Sequence, residues 1–161
     1  NDGAIHYIRA YRKNVTEVYE PGTKFELGKG KVLIPGDEVL LVGSGYLMGD
    51  ALTAAEELRA QGISVEVVDP VTIKPFDEEL ILNETKGKKL VVTYENHGTV
   101  NGIGSAVADV LAKNGAGVPL LKLGATEIFG QVGMVDLLKE AYKLTAKDAV
   151  AEILKAWHKV N

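Results

Sequence analysis

The sequence predicts an α/β domain of three layers, a mostly parallel sheet between two layers of helices. Two observations carry this. From about Lys31 to the end, short apolar runs of strand length alternate with longer runs of helical spacing, the pattern of strands joined by helical crossovers. In addition, the buried-strand run Leu90-Val91-Val92-Thr93 passes into a polar, glycine-rich loop. Ile103, Ala106, Val107, Val110 and Leu111 then follow at helical spacing. A strand, a polar loop and a helix in that order mark the place where open α/β sheets present function.

Taken in order, residues 4–9 (Ala-Ile-His-Tyr-Ile-Arg) read as a lone strand with nothing before it to pair or cover it. Residues 10–30 are polar and turn-rich, with Pro21-Gly22, Gly28 and Gly30, and read as a linker. A strand at 31–33 and another at 38–42 flank a turn containing Pro35-Gly36-Asp37. That spacing permits a hairpin, so one strand can run antiparallel to the rest. A helix near 47–60 has Leu47, Ala51, Ala54, Ala55 and Leu58 on its apolar face and closes at Gly62. Residues 64–69 form the next strand. Asp77 caps a short helix with Glu78 and Glu79 in its first turn, where the helix dipole favours acids. After the 90–93 strand come a helix at 104–113, a strand at 118–123 and two final helices. The first final helix covers 135–142. The second starts at Thr145, with Asp148 in a variant capping box and a stripe of Ala149, Val150, Ile153, Leu154 and Trp157.

Composition narrows the function. A chain of 161 residues suits one domain, and 46% hydrophobic with 25% charged residues is ordinary for a globular protein. The net charge of −4, without a basic cluster, argues against a nucleic-acid surface. No cysteine is present, which excludes disulfides and thiolate chemistry and fits a reducing compartment such as the cytoplasm. Apolar runs such as Val39-Leu40-Leu41-Val42 are far too short to cross a membrane, and no signal-peptide pattern opens the chain. Asn1, in place of methionine, reads as a cut boundary.

Several motifs carry possible chemistry. Gly43-Ser44-Gly45 between a strand and a helix, with Asp69 ending the next strand, outlines a dinucleotide-binding unit. Met48 stands where the third glycine belongs, so a tight strand-to-helix turn is the simpler reading. Gly49-Asp50-Ala51 with Asn83 loosely resembles the thiamine diphosphate motif, in which aspartate and asparagine hold magnesium. Both acid and amide fall inside expected helices, which argues against it. Glu95 and His97 are the weak catalytic candidates, an acid/base pair if the loop folds both to one place. A histidine that fixes backbone or a domain contact is the favoured alternative. His6 and His158 read as exposed, and the three histidines lack metal-ligand spacing. No catalytic, cofactor-binding or metal-binding residue is therefore assigned.

Together these segments resemble a known family. Phe25-Glu26-Leu27-Gly28-Lys29, Gly36-Asp37-Glu38-Val39 and Gly43-Ser44-Gly45 are similar to the opening of a transketolase C-terminal domain. Gly62-Ile63-Ser64, Val68-Asp69 and Thr72-Ile73-Lys74-Pro75-Phe76-Asp77 continue the match. Glu95-Asn96-His97 with Gly102-Ile103-Gly104-Ser105-Ala106-Val107 is its most specific part. Phe129-Gly130-Gln131-Val132-Gly133 and Tyr142-Lys143-Leu144-Thr145 complete it, over about residues 24 to 155. Three positions depart: Asn101 stands where a glycine pair is usual, Val132 for serine and Lys143 for glycine. The superfamily also contains deoxyxylulose-phosphate synthases and 2-oxoacid dehydrogenase beta subunits, but the His97 loop and Phe129-Gly130 look most like transketolase.

The resemblance implies five strands, one antiparallel. It makes residues 1–13 the remnant strand of a preceding pyrimidine-binding domain, 14–30 a linker and 31–161 the C-terminal domain, similar to the end of the smaller subunit of a split transketolase. It further implies that thiamine diphosphate and Mg2+ serve the intact enzyme and are held by earlier diphosphate- and pyrimidine-binding domains or a partner subunit. The intact enzyme would transfer two-carbon ketol units between phosphosugars, as in the pentose phosphate pathway. This chain alone is then expected to be inactive and to serve assembly. A homodimer is expected, with Ile128, Phe129, Val132 and Met134 as its apolar loop. The alternatives are a self-contained nucleotide-binding α/β module using Gly43-Ser44-Gly45 or the 98–104 loop, or the same domain from one of the two sister families.

Overall fold

A computed structural model describes residues 3–11, 14–126 and 129–161. Five strands form one sheet: β1 (Lys31–Ile34), β2 (Val39–Gly43), β3 (Val65–Asp69), β4 (Leu90–Gly98) and β5 (Leu120–Ala125). Five helices surround it: α1 (Met48–Ala60), α2 (Glu78–Thr85), α3 (Ile103–Lys113), α4 (Val135–Ala141) and α5 (Ala146–Val160). A short 3-10 turn at Gly45–Leu47 leads into α1. The strand order is β1-β3-β2-β4-β5. β2 pairs in parallel with both β3 and β4, and β4 in parallel with β5. Only β1 is antiparallel, against β3.

Alternation along the strands feeds two cores. Val39, Leu41, Val65, Val67, Val92 and Tyr94 face α1 and α5, where Ala51, Ala55, Leu58, Val150, Ile153 and Trp157 meet them. Leu40, Val42, Val68 and Val91 face α2 and α3, against Ile81, Ile103, Val107 and Val110. A strand buried on both faces must be apolar at every position, as β2 is. Val39, Leu40, Leu41 and Val42 are all fully buried. Helix ends follow their caps. Asp77 Oδ1 accepts the Leu80 N–H at 3.1 Å, and the Thr145–Asp148 capping box is complete.

The hairpin expected between the 31–33 and 38–42 strands does not form. β1 pairs with β3 because β2 is already flanked on both edges. The connection crosses the start of β3 instead. Gly36 lies so close to the Val65 and Glu66 backbone that a Cβ there would overlap it. Arg59 Nη2 donates to the Pro35 carbonyl at 2.6 Å, and Ser64 Oγ accepts the Asp37 N–H at 2.9 Å.

Residues 3–11 form no strand; Ile5, Tyr7 and Ile8 stand in solvent. The segment from Thr16 to Gly30, expected as a linker, lies as a strap across the carboxyl ends of the strands. Thr16 fills the space that Gly49 leaves open on α1, and Val18 packs on the core. Tyr19 Oη donates to Asp69 at 2.8 Å, and burial together with that carboxylate holds the phenol well above its ordinary pKa. Asp77 Oδ2 accepts the Gly30 N–H at 3.0 Å. Two of the departures from the resembled pattern are explained by backbone. Asn101 and Lys143 have φ of 61° and 54°, the left-handed region that a glycine enters without strain.

Candidate functional site

In this sheet the chain turns back between β2 and β4, one neighbour leading to β3 and the other to β5. That switch point, at the carboxyl ends of the strands, is where doubly wound folds bind ligands. The two sequence-predicted turns flank it.

The first is the loop before α3. β4 runs to Gly98, five residues beyond the apolar run, and carries Glu95 to the start of α3. Glu95 is only 2% exposed. Its Oε2 accepts the Ile103 N–H and its Oε1 the Gly104 N–H, both at 2.8 Å. A helix N-terminus offers unpaired donors and a positive field to an anion. Here the protein's own carboxylate takes that place, and a Cβ on Gly102 would collide with it. His97 is exposed, and its Nδ1 lies 3.1 Å from the Gly98 carbonyl oxygen, which can only accept. The β4–β5 register slips between Tyr94 and Gly98, and the two candidates have different partners there, the α3 backbone for Glu95 and Gly98 for His97. Glu95 is a structural anion and His97 a surface residue in this geometry.

The second is the Gly43-Ser44-Gly45 turn. A Cβ on Gly43 would press on Met48 and Ala51, so the glycine admits α1, not a pyrophosphate. Asp69, placed where a ribose-binding acid would stand, accepts from Tyr19 Oη and from the Val71 N–H. Asp50 and Asn83 sit on different helices. Both Asp50 oxygens are 2.7 Å from Lys139 Nζ, and Asn83 Oδ1 accepts from Lys86 Nζ at 2.8 Å. Among the described residues no cluster of acids and histidines could hold a metal. Asp50 and Asn83 are thus committed to separate lysines and do not meet as the thiamine diphosphate motif requires.

Between the turns lies a cavity of about 340 Å³, walled by Tyr46, Leu47, Asn96, Leu138 and Tyr142. Tyr46 stacks on Tyr11 with ring centroids 4.6 Å apart, and Lys139 Nζ lies 5.5 Å from the Tyr46 centroid. Tyr46 was given no role from the sequence; an aromatic ring directly after Gly45 was the available signal. Beside the cavity, Phe129 and Val132 are fully exposed and Met134 is exposed; Ile128 lies outside the described residues. His6 and His158 are exposed, as expected. No described helix is long and apolar enough to cross a membrane.

The domain is doubly wound, and its own side chains fill the positions where such a fold would place a phosphate. The transketolase C-terminal domain model matches residues 28–149, and the chain belongs to that family. It is 42% identical over 161 residues to a 6-deoxy-6-sulfo-D-fructose transketolase subunit of Clostridium sp., covering 100% of this chain and 48% of that protein. It is 39% identical over 155 residues to a putative transketolase C-terminal section of Methanocaldococcus jannaschii, covering 95% and 48%. A solved split-gene transketolase, described as an inactive beta4 tetramer, matches with a TM-score of 0.87 at 40% identity, covering 93% of this chain and 49% of that one. The chain thus spans about half the length of the relatives it matches.

Proposed function

We propose that this chain is the C-terminal domain of a split transketolase and that catalysis belongs to the assembly. The observation that carries this reading is the filled α3 N-terminus. With Glu95 on Ile103 and Gly104, the N-terminus of α3 is closed to a diphosphate. The likeness to transketolase chains along almost the whole length supports the same conclusion. In this reading a partner subunit or preceding domains supply the thiamine diphosphate and Mg2+ sites and the ketol transfer between sugars. The cofactor supplies the carbon–carbon bond chemistry when bound there. This domain supports subunit packing in the cytoplasm, with two copies meeting through the loop that exposes Phe129, Val132 and Met134.

The test is reconstitution. Calorimetry of the isolated chain with thiamine diphosphate and Mg2+ is expected to show no saturable binding, and a ketol-transfer assay no turnover. Both are expected to return when the diphosphate- and pyrimidine-binding parts are added. Micromolar binding by the isolated chain would sink the reading. Light scattering of Phe129→Ser against wild type checks the copy-to-copy contact, the variant shifting toward the monomer mass.

A further inference from the structure

We infer that Tyr46 is the docking platform for the segment that precedes the strap, and that Tyr11 is its key. The inference rests on the reading that a further domain precedes this one, but its first test does not. Residues 3–11 are exposed along their length, with Ile5, Tyr7 and Ile8 near or above 88% exposure. Exposure falls to 45% at Tyr11, where the ring lies on Tyr46 at 4.6 Å with an interplanar angle of 25°. The platform is built, not incidental. Tyr46 sits in the 3-10 turn between β2 and α1. Lys139 reaches it from α4, held by both oxygens of Asp50 on α1 with the pair four-fifths buried. The order Tyr11, Tyr46, Lys139, Asp50 is a stack of ring, ring, cation and anion, in which each member fixes the next.

Position gives the stack its meaning. Tyr11 also lines the 340 Å³ cavity over the switch point between β2 and β4. Five residues later Thr16 seats against Gly49 in the first turn of α1. The chain is therefore held at both points within a short stretch, and the hold at Tyr11 sets its course over the cavity. A preceding domain tied to Tyr11 is directed over the cavity, which becomes a cleft between the two domains. Tyr46 is a positioning residue in that arrangement: it touches no substrate and sets the attitude of the part that does.

Limited trypsin digestion of the full chain reads the latch directly. The bonds after Arg12 and Lys13 lie between Tyr11 and Thr16 in sequence, whereas the bond after Arg9 lies before the latch. Cleavage of a segment that closes faster than it is cut follows the population of the open form. Tyr46→Ala is expected to speed cleavage after Arg12 and Lys13 about threefold to tenfold, the span that ring stacking energies give. Cleavage after Arg9 should be unchanged. Tyr46→Phe keeps the ring and is expected to restore the wild-type rate. Should Tyr46→Ala fold poorly, Tyr11→Ala, on the exposed segment, should reproduce the faster cleavage with an unaltered melting temperature. Equal rates in wild type and Tyr11→Ala, or a Tyr46→Phe rate matching Tyr46→Ala, would overturn the latch. In a reconstituted enzyme, Tyr46→Ala should lower turnover with Tyr46→Phe near wild type. A working latch with unchanged turnover would refute only its part in the assembly.

Discussion

Two glutamates are buried at opposite ends of this sheet, and they are held in opposite ways. Glu95, at the carboxyl end of β4, is 2% exposed and has a backbone N–H on each oxygen. Glu66, in β3, is 4% exposed. Its Oε2 is 3.3 Å from Lys88 Nζ, which also donates to the Gly36 carbonyl at 2.7 Å, and its Oε1 has no hydrogen-bond partner of normal length among the described residues. Burial, reinforced by Glu84, pushes the Glu66 carboxyl above its ordinary pKa despite Lys88. The contrast shows that a buried charge is settled by the number of donors aimed at it more than by the presence of a counter-ion.

The largest expected effect is at Glu95. Glu95→Ala removes two charge-assisted hydrogen bonds and leaves two donors at the start of α3 unsatisfied, a loss of about 3–4 kcal/mol. Chemical denaturation measures it. The same variant should gain what the wild type lacks: inorganic phosphate is expected to raise its melting temperature and leave the wild type unmoved. Unchanged stability would show that Glu95 is not the anion of α3.

Gly102→Ala approaches the same contact from the other side. The added Cβ meets the Glu95 carboxylate and forces it off the helix, at about 1–3 kcal/mol by the usual range for overpacking. Combined with Glu95→Ala, the two costs should fall well short of additive. Additive losses would place the strain of Gly102→Ala elsewhere.

Glu66→Gln should be the mildest change and the one of opposite sign. Because folding raises the Glu66 pKa, its contribution is fully present below the unfolded carboxylate value and is lost as pH rises through the folded value. The glutamine keeps an acceptor for Lys88 and removes the buried carboxylate charge, but leaves that ammonium, itself only 7% exposed, without a counter-ion. Because burial outweighs Lys88 in setting the carboxyl, a small net gain of less than about 1 kcal/mol is expected at neutral pH, vanishing toward acid. Melting temperatures across that range decide it, and a variant that lost stability at neutral pH would reverse the comparison.

The difference between these glutamates was not legible in the sequence. Most of the fold was, because parallel strands buried on both faces announce themselves as apolar runs, and α1, α2, α3 and α5 have readable stripes or caps. β4 looked shorter than it is because Glu95 and Asn96 are polar, and a polar residue at a strand end reads as loop until its donors are known. Those donors, Ile103 and Gly104, lie eight and nine residues on. The partner of β1 was missed for a related reason. A short turn suggests a hairpin, but whether β2 has a free edge depends on β3 and β4. The strap read as linker because its anchors, Gly49, Asp69 and Asp77, are far along the chain and give no local signal. Tyr46 and Lys139, 93 residues apart in numbering, likewise meet only in the folded molecule.

The direction of β1 carries a consequence for traffic into the domain. Running opposite to its neighbours, it begins at the end of the sheet where they finish. The strap is thereby delivered across those finishing ends, over Asp69, with Tyr11 ahead of it on the turn at Tyr46, before the first strand starts. Reversing that one strand would bring the incoming chain to the far side, beneath Glu66 and Lys88. Four residues, Lys31–Ile34, thus decide at which pole of the domain the strap arrives.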